Sequence, residues 1–176
     1  MGEILRKKVI RKQNAAKNCI VCGQHSDASI QAEFYELEDG SIAALATARD
    51  IHQSYPGRVH GGMITALLDE TAGRAINITE PNTWAVTAEI AVRFKKPVPY
   101  DIPLVVTGKV GKNGSRMFEA SGQILLPDGT VAAVSTGKYM KMPLDKISDF
   151  DPESDEWTIY PKPDDPKEIE IPEKQK

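Results

Sequence analysis

The stretch RVHGGMITALLDETAG, residues 58–73, decides how this chain is read. From Met63 to Leu68 it is almost wholly apolar, the texture of a helix that must be covered nearly all round. His60-Gly61-Gly62 opens it, and two adjacent carboxylates, Asp69 and Glu70, interrupt it. A lone ionised carboxylate in apolar surroundings is costly unless it is paired, hydrogen-bonded or held there for chemistry. Glu70 has a ready partner in Arg74, four residues on, and an ion pair on the less buried side of the helix accounts for it. Asp69 has no such partner in its own helix.

Outward from the helix, the chain turns to extended segments. QAEFYELE (31–38) and SIAALATA (41–48), split by Asp39-Gly40, predict a hairpin. The helix should stop before Pro81, at Glu80-Pro81-Asn82. Four strand-like segments follow: WAVTAEIAVRF (84–94), LVVTGKV (104–110), RMFEASGQILL (116–126) and TVAAVSTGKYM (130–140). Lys112-Asn113-Gly114-Ser115 and Pro127-Asp128-Gly129 are short-loop signals, so these four segments predict an antiparallel meander. The order implies an α+β domain, an antiparallel sheet of about six strands wrapped around one long helix. EILRKKVIRKQNAAK (3–17) has helical composition and predicts an N-terminal amphipathic helix within residues 1–18. The folded domain then spans residues 19–142. Residues 143–176 read as an extended, acidic, Pro-rich tail, pinned to the surface by Trp157 and Tyr160.

A chain of 176 residues with 40% apolar side chains suits one domain with a real core. Its formal charge of -3 is unevenly spread: residues 1–18 carry six Lys or Arg against one Glu, and residues 143–176 carry eleven acids against five bases. The basic end lacks interleaved aromatics, so no nucleic-acid partner is expected. No run approaches the roughly 18 apolar residues of a membrane span, and the N-terminus lacks a signal-peptide core; the expected location is the cytoplasm, with no membrane partner. Cys19 and Cys22 in NCIVCGQH (18–25) form half of a zinc site or a redox motif. No second Cys pair exists, His25 is the only nearby candidate for a third ligand, and a turn-like GQHSD follows the pair. Reduced structural thiols are therefore expected, with no metal and no cofactor.

HQSYPGRVHGGMITALLDE (52–70), followed by the strand ending at Phe94 and by KKPVPYDIPL (95–104), resembles the hotdog-fold acyl-CoA thioesterases, in particular the PaaI-like, phenylacetyl-CoA thioesterase group. The resemblance covers roughly residues 18–142, and Cys-x-x-Cys-Gly is also similar to many members. It implies a hotdog fold and hydrolysis of an acyl-CoA, or of an acyl carrier protein thioester, to free acid and thiol. The family's helical carboxylate, nine residues after the motif His, falls on Asp69, and its strand hydroxyl on Thr87. Its oxyanion donor falls on the backbone N–H of Gly61. A side-chain amide that many members carry six residues before that His is absent here, where Ser54 stands. His52, two residues earlier, is the candidate to take its place.

The chemistry agrees with that likeness. A thioester needs a nucleophile or base near its carbonyl carbon and donors aimed at the developing oxyanion. A helix N-terminus supplies such donors, and glycine at 61 and 62 lets the acyl group approach the backbone. Asp69 lies eight residues beyond Gly61, about 12 Å along the axis at ~1.5 Å per residue, too far for one carbonyl to meet both. Two copies with antiparallel helices bring Gly61 of one opposite Asp69 of the other, so the site implies a homodimer, with a dimer of dimers as a further assembly. His60 serves either the loop-to-helix turn or proton transfer. Arg93, Lys95 and Lys96, with Arg58 in the loop, are candidates for the coenzyme's phosphates, joined by Lys138 and Lys141. Two other readings stand beside hydrolysis: a hotdog enoyl-thioester dehydratase or hydratase using His52 and Asp69, and a non-catalytic acyl-thioester-binding protein.

Overall fold

The computed structural model describes residues 3–173. Strands β1 (Glu3–Lys12) and β2 (Ala15–Ala16) precede the expected hairpin, β3 (Glu33–Leu37) and β4 (Ile42–Ala46). The helix α1 spans Gly61–Arg74 and tightens into a 3₁₀ turn, Ala75–Ile78. After it come β5 (Ala85–Phe94), β6 (Leu104–Asn113), β7 (Met117–Leu125) and β8 (Val131–Lys141), then β9 (Trp157–Thr158) and β10 (Glu168–Glu173). Eight strands form one antiparallel sheet in the order β10-β1-β3-β4-β6-β7-β8-β5, and β2 pairs with β9 beside it. No helix among the described residues is long and apolar enough to cross a membrane.

The sheet wraps α1 as a hotdog fold requires. Leu67 and Leu68 are 2% and 0% exposed, each contributing about 1.5–3 kcal/mol by area. The helix lies so close to β6 that a Cβ on Gly108 would sit 3.0 Å from the Thr71 carbonyl oxygen. Any larger residue there would push helix and sheet apart.

Three expectations are corrected. The N-terminal residues form a strand, β1, where an amphipathic helix was expected. Isolated composition favours a helix, but β1 finds ladder partners on both sides: Leu5 opposite Ile171 on β10, and Val9 opposite Leu37 on β3. Pairing overrides weak local propensity. The uneven charge explains the choice. Arg6 meets Glu170 at 2.9 Å, Lys7 meets Asp39 at 2.6 Å, and Lys12 bridges Glu33 and Asp165 at 2.7 and 2.6 Å. The basic end thus lies against acids of the tail and of the first hairpin.

Second, the tail is part of the sheet. It contributes β9 and β10, burying Ile169 and Ile171 against Tyr35, Leu37 and Leu125. Trp157 and Tyr160 do hold it: Trp157 packs against Trp84, with ring centroids 5.5 Å apart, and Tyr160 against His25. Third, the last four core strands are not a simple meander. β6, β7 and β8 are, but β5 pairs with β8. The Pro-rich connection after Phe94 carries the chain to the far side of β7 before β6 begins.

Candidate active site

At the helix entrance, His60 has extended backbone angles and caps α1, its Nδ1 accepting from the N–H of Gly62 at 2.8 Å. Its carbonyl accepts from Met63 and Ile64 at 3.0 and 3.1 Å. Of the donors exposed at this terminus, the N–H of Gly61 has no partner among the described residues. His52 supports the entrance from behind. Its carbonyl accepts from the His60 N–H at 2.8 Å, while the residue as a whole is 4% exposed. Nδ1 accepts from the Arg49 N–H and the opposite ring nitrogen lies 2.9 Å from the Ala28 carbonyl, which defines the neutral ring with its proton on Nε2. Both nitrogens are occupied, and His52 does not reach the cavity beside Asp69. Ser54 and Arg58 are exposed in the preceding loop, joined by a Ser54 N–H to Arg58 carbonyl bond of 2.9 Å.

Two turns along α1, Asp69 is half-buried and faces β5. The Thr87 hydroxyl lies 2.9 Å from Oδ1 and 3.0 Å from Oδ2, and the Tyr139 hydroxyl donates to the Asp69 backbone carbonyl at 3.3 Å. Burial pushes the carboxyl above its ordinary value of 3.8, against the opposing effect of the Thr87 hydrogen bond. Thr87 is aimed by a bulge. It pairs with Tyr139, but Glu89 already pairs with Lys138, so Ala88 is the extra residue. A cavity of about 520 Å³ opens beside Asp69, its wall including Thr87, Tyr139, Trp84, Trp157 and Cys19. Asp69 and Thr87 are thus brought together, while Gly61, Gly62, His60 and His52 remain at the other end of the helix.

Glu70, one residue on, makes the expected pair with Arg74: Nη2 and Nε lie 2.7 and 3.0 Å from Oε1. That pair is not on the less buried side, since Arg74 is 8% exposed. Its guanidinium lies over the rings of Phe34 and Trp157 and donates to the Asn14 carbonyl at 2.7 Å. Arg93, Lys95 and Lys96 are exposed, and their side chains have no carboxylate partner among the described residues. Lys138 and Lys141, by contrast, are each paired, with Glu89 at 3.1 Å and Glu80 at 2.7 Å.

Reading the sequence missed Tyr139, Trp84 and Trp157 as cavity residues. Tyr139 stands two positions from Gly137 on an alternating strand, a signal of burial but not of this neighbour. The two tryptophans meet only because the tail returns.

Comparison with known proteins agrees with this architecture. The profile of the family described as Thioesterase superfamily matches residues 56–133. Acyl-coenzyme A thioesterase THEM4 of Rattus norvegicus is 28% identical over 116 residues, 65% of this chain and 49% of the rat protein, so the chain spans about half the length of that relative. The Saccharolobus solfataricus protein named "Putative esterase SSO2140" is 30% identical over 110 residues, 62% of this chain and 78% of its own length. The solved PaaI protein from the phenylacetic acid degradation operon of E. coli shares the fold at a TM-score of 0.59, with 18% identity, covering 65% of this chain and 81% of that one. The matched profile runs through the helix and β5, β6 and β7, and the archaeal relative is matched over most of its length: the chain belongs to the thioesterase superfamily.

Proposed function

We propose that this chain is an acyl-CoA thioesterase that hydrolyses the thioester bond to free acid and thiol, with each site built from two copies of the chain. The observation that carries the reading is the pairing of Asp69 with Thr87 on a cavity wall, two turns along α1 from a Gly61 N–H that has no partner among the described residues. Gly61 and Asp69 are both in α1, eight residues and about 12 Å apart. In an antiparallel homodimer, Gly61 of one copy grips the thioester oxygen while Asp69 of the other acts at the carbonyl carbon. The carboxylate attacks directly, displacing the coenzyme thiolate and forming an anhydride that water then opens to the free acid, or it takes a proton from the attacking water and passes it to the thiolate as the C–S bond breaks. Thr87 orients the carboxylate, and His60 and His52 are positioning residues for the Gly61 donor. Gly62 leaves room for the acyl group, and Ser54 and Arg58 border the entrance. Arg93, Lys95 and Lys96, all without carboxylate partners among the described residues, bind coenzyme A phosphates.

The hydratase reading needs a His able to exchange protons beside Asp69, and the ring of His52 is buried with both nitrogens bonded. A pure binding protein has no use for a half-buried carboxylate held by a hydroxyl beside its cavity.

The test is complementation between two inactive variants. Asp69→Asn removes the base or nucleophile. Gly61→Pro removes the N–H at the first helical position, where proline is well tolerated, and His60 already has the φ of -62° and ψ of 137° that precede proline. Each variant alone should release little thiol from a panel of acyl-CoAs. Mixed dimers contain one intact site and should recover part of the wild-type rate. Mixing that restores nothing, while heterodimers form, sinks the shared site.

A further inference from the structure

Cys19, Cys22 and Glu70 are left over by the hydrolytic chemistry, yet they converge. Their Sγ and carboxylate oxygen atoms all lie within 4.8 Å of one another, and all three residues line the cavity beside Asp69. The cysteines sit on a tight turn. The Gly23 N–H donates to the Cys19 carbonyl at 2.8 Å, and a Cβ on Gly23 would fall 2.3 Å from that oxygen, so the turn demands glycine. Four N–H donors point at the two sulfurs. Val21 and Cys22 backbone groups donate to Cys19 Sγ at 3.3 and 3.5 Å; the Ala16 backbone and Arg74 Nη2 donate to Cys22 Sγ at 3.4 and 3.3 Å. Once a metal has displaced the thiol protons, these four donors remain to stabilise the sulfurs as bound thiolates.

Glu70 is oriented to match. Arg74 holds Oε1, leaving Oε2 facing Cys19, whose thiol donates to it at 3.3 Å. The proton of that bond occupies the space between two ligands. With both thiols ionised, the cluster carries three negative charges against one guanidinium, and a divalent cation brings it to neutrality. Two soft thiolates and one carboxylate, with the cavity on the open side, match the donor set of zinc.

We propose that Cys19, Cys22 and Glu70 bind a thiophilic divalent cation of the zinc class, with the fourth position open to the cavity. Binding exchanges the two thiol protons, released to solvent, for two metal–sulfur bonds, with no change in oxidation state. The cation ties the Cys19–Cys22 turn to α1 one residue from Asp69. This site is independent of the hydrolytic reading, and its test involves no turnover.

The probes are Zn²⁺ and Co²⁺ added to the full chain after reduction and chelation. The reduced protein should take up one cation per chain, and cobalt should give the near-ultraviolet charge-transfer band of thiolate ligation together with strong tetrahedral visible bands. Cys19→Ser and Cys22→Ser should each diminish the charge-transfer band. Glu70→Gln should keep it but weaken affinity at least about tenfold, the lower end of what loss of even an outer partner does. Zinc should also protect both wild-type thiols from a thiol reagent, a readout that needs no cysteine variant to fold. Failure of the folded, reduced protein to take up zinc or cobalt overturns the proposal. So does a cobalt spectrum unchanged in Cys19→Ser, or ready closure of a Cys19–Cys22 disulfide by oxidised glutathione that excess zinc does not slow.

Discussion

Thr87→Val isolates the hydroxyl that holds Asp69. Valine preserves the β-branched shape that suits β5 and removes only the group 2.9 Å from Oδ1 and 3.0 Å from Oδ2. One hydroxyl carries one hydrogen, so the two contacts amount to a single bond shared between the oxygens. A hydrogen bond to a charged group contributes about 1.5–3 kcal/mol. Thr87 is exposed and water replaces part of what is lost, so the lower end applies, about 1.5 kcal/mol. At about 1.4 kcal/mol per factor of ten, kcat/KM for thiol release should fall roughly tenfold. The direction in pH follows as well. Burial raises the Asp69 pKa and the Thr87 bond opposes it, so removing the hydroxyl should move the acid limb of kcat/KM to higher pH. Thr87→Ser should restore both rate and limb. The assay is a pH series of thiol release from one acyl-CoA. An acid limb that stays put or moves to lower pH refutes the assignment of Thr87, whatever the rate does.

Asp69→Asn should make the protein melt at a higher temperature at neutral pH, even as it removes hydrolysis. A folded-state pKa raised above the unfolded one means that the stability contribution of this group is fully present below pH 3.8 and is lost as pH rises through the folded value; the gain from Asn should therefore vanish in acid when melting is followed against pH. Neutralising Lys95 and Lys96 together should raise KM for acyl-CoA more than it lowers kcat, and leave KM for an acyl-pantetheine thioester, which lacks the nucleotide phosphates, unchanged; steady-state kinetics on the two substrates decides this. Ile171→Ala should destabilise the fold by about 2 kcal/mol, the low end for a buried Ile because β10 is an edge strand, and a urea midpoint that fails to move would mean the tail is not packed as described.

Local signals carried most of the fold. The apolar run of α1, the Asp39-Gly40 turn and the two loops flanking β7 are legible because each is decided within a few residues. β1 is not, since Arg6 and its partner Glu170 are 164 positions apart and no local periodicity records that pairing. The place of β5 beside β8 is likewise set by the route of a Pro-rich connection around the sheet. At the site, Asp69 and Thr87 were legible through resemblance and meet as expected, but the bulge at Ala88 that aims Thr87 leaves no mark in the alternation of its strand.

The two carboxylates in the greasy helix have separate explanations because of helical geometry. At 3.6 residues per turn, adjacent side chains leave the axis about 100° apart. That rotation sends Asp69 toward β5, where it meets a hydroxyl and the wall of a cavity. It sends Glu70 toward Arg74 and the Cys19–Cys22 turn, where a guanidinium fixes one oxygen and a thiol meets the other. Exchanging the two residues would preserve composition and charge, but would put the longer side chain against Thr87 and shorten the carboxylate at position 70 by one methylene, drawing it back from the buried Arg74 guanidinium that it now meets at 2.7 Å. The order Asp-Glu therefore suits two different neighbourhoods.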